Sequence, residues 1–274
     1  MTDTTGHAPI ALLGLPLDAN SSHLRGPALG PAAIRAALHS GSGNDSTEHG
    51  VEVVPLLKDL GDLALENLCG SHADADQITV AVADVVAAGQ QLISMGGDHS
   101  VTYPILRGFA SQHPDLTVVH IDAHPDLYDN LDGNPLSHAS PFARALEDNC
   151  MSKLVQLGIR TATPHQRAQA QRWGVEIISA RAVDQFDPTV LSGPIYLSID
   201  LDGLDPSVAP GVSHHEPGGL TVREVLNIID SLPTPLVGAD IVELNPQRDV
   251  VDMTAMVAAK LVKEVAGAML SRVT

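Results

Sequence analysis

Three ligand-type side chains follow one aliphatic run at a spacing of two residues. In the stretch VVHIDAHPDLYD, this run ends in Asp122, His124 and Asp126. Because residues two apart share a face in extended backbone, these side chains can project into one small volume. Carboxylate and imidazole groups that converge in this way indicate a metal site, whereas the simpler interpretation is an ordinary polar loop start.

Similar polar clusters follow three other aliphatic runs of the sequence. The stretch YLSIDLDGLDP places Asp200 and Asp202 two residues apart, and two such carboxylates repel each other in a half-buried site unless a cation lies between them. His99 follows the paired glycines of SMGGDHSVTYP, where a capped turn is the simpler interpretation. Glu243 ends the apolar part of GADIVELNPQRD, where a salt bridge or a helix-entry acid would also explain it.

The candidate ligands are too numerous for a single ion of zinc type. Four carboxylates and two imidazoles exceed the four ligands of a tetrahedral site, but they suit two divalent cations that share carboxylates. The predicted metal ligands are His99, Asp122, His124, Asp126, Asp200 and Asp202. Because two ions about 3.5–4 Å apart can activate a shared water molecule, the residues alone predict a binuclear metallohydrolase.

Short aliphatic runs alternate with longer helical segments along the chain. The predicted strands are Ile10–Leu13, Val51–Val54, Gln91–Met95, Leu116–Ile121, Leu154–Leu157, Glu176–Ile178, Ile195–Ile199 and Leu236–Ile241. The predicted helices are Pro31–His39, Ala73–Ala88, Val101–Ser111, Pro141–Asp148, Pro164–Trp173, Val222–Leu232 and Thr254–Ser271. This alternation predicts an α/β fold with three αβα layers and a mostly parallel sheet of about eight strands. We interpret residues 1–274 as a single domain.

The composition argues against several classes of partner. The chain has 33 acidic and 15 basic residues and a net charge of −18, which disfavours binding to nucleic acid or to an anionic membrane. No apolar run approaches the ~18 residues that a membrane span needs. The segment MTDTTGHAPIALLGLPLD lacks the basic start and the apolar core of a signal peptide, so a cytoplasmic location is predicted.

Four motifs of this chain together resemble those of the ureohydrolases, the family of arginases and agmatinases. The stretches GGDHS, DAHPD, SIDLDGLDP and VELNP occur in the order and spacing of the family along nearly the whole chain. GNPLSHASPFAR and APGVSHHEPGGL are closest to the plant-type arginases. The resemblance implies an arginase-like fold and hydrolysis of L-arginine to L-ornithine and urea. The alternative is hydrolysis of agmatine, or of a guanidino acid other than arginine.

The resemblance also implies a cofactor and a division of the ligands. It implies two Mn²⁺ ions per subunit, each with its own His–Asp pair, and two aspartates that bridge the ions. By this resemblance the pairs are His99 with Asp126 and His124 with Asp202, and the bridging residues are Asp122 and Asp200. A homo-oligomer, trimer or hexamer, is the assembly that the family implies.

Three catalytic roles follow from the same resemblance. Asp126 matches the acid that also handles the proton of the attacking hydroxide. His138, in SHASPF, matches the proton-shuttling histidine of the family, although a surface loop histidine is the simpler interpretation. Glu243 matches the carboxylate that grips the guanidinium group of the substrate.

The segments that contact the rest of the substrate depart from the animal and Bacillus-type arginases. The loop VSHHEPGG replaces the more usual GTGTP and places His214 near the expected pocket. Asn134 and Ser137, beyond the DAHPD motif, are further candidates for contact with the substrate. Arg160 is a candidate for discriminating arginine from agmatine, but a structural role is favoured.

Two other classes of function stay open at this point. A metal-dependent amide hydrolase or deacetylase would share the architecture, but it would keep fewer metal ligands and would not need Glu243. A non-catalytic metal-binding homologue would be expected to lack a ligand or His138, and the sequence retains them.

Overall fold

The computed structural model describes residues 10–233 and 235–270. The strands are β1 (Ile10–Leu15), β2 (Leu57–Asp62), β3 (Leu92–Gly96), β4 (Thr117–Ile121), β5 (Lys153–Ile159), β6 (Glu176–Ser179), β7 (Ile195–Asp200) and β8 (Leu236–Val242). The α-helices are α1 (Gly30–Leu38), α2 (His72–Ala87), α3 (Thr102–Ala110), α4 (Pro141–Glu147), α5 (Pro164–Trp173), α6 (Val222–Ser231) and α7 (Met253–Leu270). The first nine residues, which belong to the segment tested for a signal peptide, lie outside the described residues, as does Ser271, the predicted end of the last helix.

The strands form one eight-stranded sheet in the order β2-β1-β3-β8-β7-β4-β5-β6. Every pairing between neighbouring strands is parallel. Parallel neighbours need crossover connections, which the helices supply on both faces of the sheet. The predicted α/β fold with three layers and about eight strands is therefore confirmed.

Two apolar cores lie on opposite faces of the sheet. Alternate residues of β1 divide between them, since Ile10 and Leu12 pack in one core and Ala11 and Leu13 in the other. Helices α1, α6 and α7 cover the first core, and α2, α3 and α4 cover the second. Because both faces are buried, most strands appear in the sequence as continuous aliphatic runs.

The helices begin where capping residues allow. Ser71, Thr163 and Thr221 each form a capping box at the start of α2, α5 and α6, in which the side chain and backbone of two residues exchange hydrogen bonds. Proline occupies the first turn of α1, α4 and α5, where its missing N–H costs nothing. All seven predicted helices are present, with their described ends within one residue of the prediction.

The predicted strand Val51–Val54 is wrong. A 3-10 turn at Val54–Leu56 and one isolated bridge occupy this stretch, and the edge strand is β2, which follows it. Most of β2 is exposed and its sequence, LKDLGD, does not indicate a strand. Pairing with β1 and the ion pairs that Arg35 of α1 makes with Asp59, at 2.8 Å, and with Asp62 hold it in place.

The four polar clusters follow four strands that are neighbours in the sheet, β3, β8, β7 and β4. The chain runs from β3 directly to β4 although these strands lie three places apart, so the connection crosses the centre of the sheet. In open parallel sheets, a crevice forms beyond the carboxyl ends of the strands at such a reversal. Among the described residues, no helix is both long enough and apolar enough to traverse a bilayer.

Candidate metal centre and substrate pocket

All six predicted metal ligands lie together at the carboxyl ends of β3, β4 and β7. The Nδ1 atom of His99 is 3.3 Å from a carboxylate oxygen of Asp122, 3.0 Å from Asp126 and 3.1 Å from Asp200. His99 and Asp122 are fully buried, and the carboxylates of Asp126 and Asp200 are nearly so. One half of the cluster therefore joins an imidazole to three carboxylates.

The second half of the cluster is centred on His124, whose side chain is about a quarter exposed. Its Nδ1 atom lies 3.3 Å from Asp122 Oδ1 and 3.2 Å from Asp202 Oδ2. Asp122 thus turns Oδ2 towards His99 and Oδ1 towards His124. This is the arrangement that a carboxylate shared between two neighbouring cations requires.

The donor set of the cluster fits divalent cations. His99 Nδ1 is buried and forms no hydrogen bond with a described residue, although three carboxylates surround it. Burial, and then the nearby carboxylates of Asp202 and Asp122, raise the pKa of Asp200 well above its ordinary value. Burial and the Asp122 carboxylate also raise the pKa of Asp202, to about 7. Cations within the cluster would remove this crowding of negative charge.

A chain of hydrogen bonds orients His99 through the ring nitrogen that faces away from the cluster. Its Nε2 atom lies 3.0 Å from the hydroxyl of Ser198, which in turn donates to Asp240 Oδ1 at 2.7 Å. Thr102 and Tyr196 donate to the other oxygen of Asp240. Because Nε2 is engaged by this buried network, Nδ1 is the nitrogen that His99 presents to the cluster.

His120 also belongs to the centre, although the sequence analysis assigned it no role. Its Nε2 atom lies 2.8 Å from Asp122 Oδ2, and the side-chain amide of Gln156 lies 3.0 Å from its Nδ1 atom. That amide also donates to the carbonyl of Pro125 at 2.6 Å. With Nδ1 accepting from Gln156, the neutral ring carries its hydrogen on Nε2 and donates it to Asp122. A histidine inside an aliphatic strand, two residues before Asp122, was the available signal.

We expect His120→Leu to weaken Mn²⁺ binding by about 10- to 100-fold, because residues that orient a metal ligand typically contribute this much to affinity. The variant leaves the Asp122 carboxylate without the hydrogen bond that fixes its rotamer. His120→Gln retains a donor and should lose less. The dissociation constant for Mn²⁺, measured by titration of the metal-free protein, checks both, and equal affinity in all three proteins would contradict the assignment.

Asp126 and Glu243 hold unusual backbone conformations. Their φ angles are +51° and +66°, in the left-handed region that residues other than glycine adopt at a cost of about 1–3 kcal/mol. Both residues are buried, and both line the same cavity of about 200 Å³ next to the cluster. Backbone strain at two acids of one cavity indicates that the fold holds them there for function.

The two carboxylate oxygens of Glu243 differ in their hydrogen bonding. Its Oε1 atom accepts from the backbone N–H of His99 at 2.9 Å and lies 2.8 Å from His138 Nδ1. Its Oε2 atom is buried and accepts no hydrogen bond from a described residue. Burial raises the pKa of Glu243, but His138 and His99 together lower it to below its ordinary value, so the group is ionised at neutral pH.

His138 lies between Glu243 and Ser22, a residue for which the sequence analysis predicted no role. Its Nε2 atom is 2.9 Å from the Ser22 hydroxyl. Burial lowers the pKa of His138, but the carboxylates of Glu243, Asp98 and Asp126 together raise it to about 9. The imidazole is therefore protonated at neutral pH and can act as an acid within the cavity.

The loop that carries Ser22 is fixed against the end of β3. The Asp98 carboxylate accepts from the Asn20 backbone at 2.9 Å and from the Ser21 hydroxyl at 3.1 Å. Gly97 is required here, because a Cβ atom at this position would lie 1.8 Å from the carbonyl oxygen of Leu17. The paired glycines of the GGDHS motif thus allow the N-terminal loop to approach His99.

Two of the predicted substrate contacts do not line the cavity. The Asn134 side chain donates to Asn20 at 3.0 Å and accepts from the Leu136 backbone, so it holds two loops together. The Ser137 hydroxyl accepts from the Ala139 backbone within its own turn. Neither side chain is among the described residues that line the cavity, so their contact with the substrate stays a prediction.

The side chain of Arg160 bonds to backbone carbonyls near the metal centre and is not among the residues that line the cavity. Its guanidinium donates to carbonyl oxygens of the segment that carries Asp202 and to that of Glu216, at 2.6–3.3 Å. These bonds favour the structural role considered from the sequence. They also fix the loop that contains His214.

His214 lies above the cluster, among other imidazoles. Its ring centroid is 5.2 Å from that of His138, 6.0 Å from that of His124 and 5.6 Å from that of His23. Burial, and then His138, lower the pKa of His214, so its ring is neutral at neutral pH. It lines the cavity of about 200 Å³ together with Glu243, and this cavity is partly open to solvent.

Comparisons with known proteins extend over nearly the whole chain. A family model described as the arginase family matches residues 8–267. The chain is 44% identical over 276 residues to "Arginase 1, mitochondrial" of Arabidopsis thaliana, which covers 94% of this chain and 80% of that protein. It is 31% identical to an agmatinase of Bacillus anthracis, over 93% of this chain and 90% of that protein. The solved arginase from Medicago truncatula superposes with a TM-score of 0.90 and 42% identity, covering 96% and 88% of the two chains.

Proposed function

The chain belongs to the arginase family, and from this premise we propose that it is a metal-dependent hydrolase that converts L-arginine to L-ornithine and urea. The observation that carries the proposal is the free, buried oxygen Oε2 of Glu243, which lines the same cavity as the His–Asp cluster. A planar guanidinium group suits this oxygen, because it presents paired N–H donors and a positive charge to a carboxylate.

Two Mn²⁺ ions per subunit are the cofactor that we propose. The four carboxylates of the cluster offset the charge of two divalent cations, and the mixture of carboxylate and imidazole ligands suits Mn²⁺. His99 with Asp126 and His124 with Asp202 would each serve one ion, and Asp122 and Asp200 would be shared. When bound, such ions lower the pKa of a water molecule and so supply a nucleophile at neutral pH.

Three side chains carry the remaining steps of the proposed reaction. Glu243 holds the guanidinium through charge-assisted hydrogen bonds, so that the guanidinium carbon faces the cluster. Asp126 takes a proton from the attacking water and passes it to the nitrogen that leaves. His138 gives this nitrogen its second proton and is reprotonated by the hydroxyl proton that is lost as the C=O bond of urea forms. As the new C–O bond forms and the C–N bond breaks, urea and the amine separate.

We expect His138→Asn to lower kcat by about 100-fold, the lower end of the range for general acid–base catalysis. The asparagine keeps a polar contact to Glu243 but cannot transfer a proton. KM and metal content should change little, and His39→Asn, at an exposed position after α1, should leave kcat unaltered. Steady-state kinetics with metal analysis checks this. An unaltered kcat, or a loss of metal, would remove His138 from this role.

The substrate is tested by urea release after Mn²⁺ loading, with L-arginine, agmatine and 4-guanidinobutyrate assayed side by side. We expect the highest kcat/KM for L-arginine, because the plant arginases are closer relatives of this chain than the agmatinase is. Higher activity on agmatine would show that agmatine is the substrate, whereas the proposed reaction, hydrolysis of a guanidino group to urea, would stand. Absence of urea from every guanidino compound would overturn the proposed function.

Three broader properties are also proposed, of which only the assembly rests on the family resemblance. Residues 1–274 would form one domain, and the subunits would assemble as a trimer or hexamer, which sedimentation analysis can test. A cytoplasmic location stays a prediction, since several plant relatives have "mitochondrial" or "chloroplastic" in their names.

A further inference from the structure

We propose that His214 binds the α-carboxylate of the substrate and thereby selects arginine over agmatine. This inference rests on the proposed function, because it concerns the part of the substrate that does not react. Arginine and agmatine differ only in that carboxylate. A residue that contacts it would therefore separate the two substrates without altering the chemistry at the guanidinium carbon.

No lysine or arginine is among the described residues that line the cavity, so none of them offers a cationic side chain of this kind to a carboxylate. Its lining residues with acidic side chains are Asp126, Asp200, Asp202 and Glu243. Its nitrogen bases are three histidines, and two of these are committed, since His124 faces the carboxylates of the cluster and His138 contacts Glu243. His214 is the remaining one, and its ring nitrogens form no hydrogen bond with a described residue.

The hydroxyl and amide groups of the cavity are less available. Thr163 and Gln166 bond to each other in the capping box of α5. The Ser22 hydroxyl contacts His138. The hydroxyls of Tyr128 and Thr161 are uncommitted, and they could add a neutral hydrogen bond to a carboxylate that His214 already holds. The neutral imidazole of His214 can donate its N–H to the incoming carboxylate.

His214 and Glu243 both lie next to His138 and line the same cavity. The Glu243 carboxylate, which would hold the guanidinium, contacts His138 at 2.8 Å, and the ring centroids of His138 and His214 are 5.2 Å apart. The guanidinium carbon and the carboxylate carbon of extended arginine are separated by six bonds of about 1.5 Å, or roughly 7 Å in a zigzag chain. An arginine whose guanidinium contacts Glu243 can therefore extend its carboxylate along the cavity that His214 also lines.

The loop that carries His214 is fixed on both sides of this residue. On one side the Ser213 hydroxyl donates to the Leu24 carbonyl at 3.1 Å and accepts from the Asn245 amide at 3.0 Å. On the other side Arg160 donates twice to the Glu216 carbonyl, at 2.8 and 2.6 Å. Because the loop is held before the substrate arrives, little conformational entropy is lost when the imidazole binds the carboxylate.

The test compares three substrates that differ in one group each. L-arginine carries both the α-amino and the α-carboxylate group, agmatine lacks the carboxylate, and 5-guanidinopentanoate lacks the amino group. The proteins are the Mn²⁺-loaded wild type and the variants His214→Ala, His214→Gln and His215→Ala. His215 is the matched control, because it is adjacent in the chain but exposed, with its ring on the Pro210 carbonyl.

We expect His214→Ala to lower kcat/KM for L-arginine and 5-guanidinopentanoate by about 10- to 100-fold, chiefly through KM, since the contact is made equally before and during the reaction. The value for agmatine should stay within about threefold; if agmatine is not hydrolysed, its Ki against arginine replaces kcat/KM. His214→Gln keeps a donor and should recover part of the loss, and His215→Ala should match the wild type. Full metal content in each variant shows that the fold is intact.

Two outcomes would overturn the inference while the proposed function stands. If arginine and agmatine lose the same factor in His214→Ala, then His214 is structural or acts on the guanidinium. If neither loses activity, the carboxylate is bound elsewhere, and Tyr128→Phe then identifies the nearest other donor. A wild-type protein that releases no urea from any of the three compounds instead overturns the proposed function itself.

Discussion

We expect Glu243→Gln to lower kcat/KM for L-arginine by about 10³-fold while the protein keeps its full metal content. A loss of this size corresponds to about 4 kcal/mol of transition-state stabilisation, within the range measured when one partner of a buried charge pair is neutralised. It is the largest effect of a single side chain that we predict for this site, because Glu243 would hold the reacting group directly.

The expected loss of activity arises because the substitution replaces a hydrogen-bond acceptor with a donor. The Oε1 position of Glu243 accepts from the His99 backbone and faces His138, and both contacts tolerate an amide oxygen. The amide nitrogen of glutamine would then occupy the position of Oε2, where it would present N–H donors to the N–H donors of the guanidinium. The variant should therefore fold and bind metal but should fail to orient the substrate.

Glu264→Gln is the matched control for this experiment. Glu264 is another buried glutamate, whose carboxylate accepts from the Glu48 backbone at 2.9 Å on α7, away from the cavity. Its neutralisation tests whether loss of any buried carboxylate lowers activity. If Glu243→Gln loses metal in proportion to activity, Glu243 belongs to the metal ligands and our assignment of its role is wrong.

The grouping of the candidate ligands could be predicted from the sequence because ligand-type residues at a spacing of two follow β4 and β7. Asp122 and Asp200 lie at the carboxyl ends of these two strands, which are neighbours in the parallel sheet. His99 followed from the same rule applied to β3. The extended backbone assumed by the spacing rule ends before Asp126, whose φ is +51°, and before Asp202, which lies in a 3-10 turn. Local spacing and sheet topology therefore predicted which residues meet, but not the backbone conformation of these two aspartates.

Features that depend on distant contacts could not be predicted in the same way. The edge strand β2 is stabilised by Arg35, more than twenty positions away, and not by its own composition. His120 lies in a strand where an aliphatic residue is expected, and its role depends on Gln156 of the neighbouring strand. The left-handed backbone of Asp126 and Glu243 has no glycine to indicate it.

The substrate contacts predicted for Asn134 and Ser137 stay predictions for a related reason. Polar residues in a loop near a site can face the substrate or the loop itself, and the sequence does not distinguish the two. Asn134 is held by Asn20, which lies 114 positions earlier in the chain. Only the three-dimensional arrangement shows that this amide is already hydrogen-bonded, whereas the imidazole of His214 lines the cavity.

Saturating Mn²⁺ should raise the melting temperature of the metal-free protein by about 5–10 °C. A ligand present at about 100 times its dissociation constant stabilises the folded state by ~2.7 kcal/mol, and 1 kcal/mol shifts the melting temperature of a domain of this size by about 2–4 °C. The physical source is the relief of repulsion among buried carboxylates, two of which have raised pKa values.

This stabilisation should be larger at pH 8 than at pH 6. Burial and the Asp122 carboxylate raise the pKa of Asp202 to about 7 in the metal-free fold, above its value of about 3.9 in the unfolded chain. The folded state therefore binds a proton that the unfolded state lacks, and the stability from this proton is lost as the pH rises through about 7. Below pH 7 a cation must displace that proton, whereas at pH 8 it binds a carboxylate that is already ionised.

Calorimetry of the chelator-treated protein, with and without Mn²⁺ at the two pH values, measures this difference directly. Asp202→Asn removes the titrating group, so its metal-free form should not share the loss of stability between pH 6 and 8, and Mn²⁺ should stabilise it less. Because the wild type and the variant differ at one carboxylate, the comparison separates Asp202 from every other titrating group. An equal gain from Mn²⁺ at both pH values in the wild type would show that the cluster is already ionised without metal, and repulsion among its carboxylates would then be relieved by the protein alone.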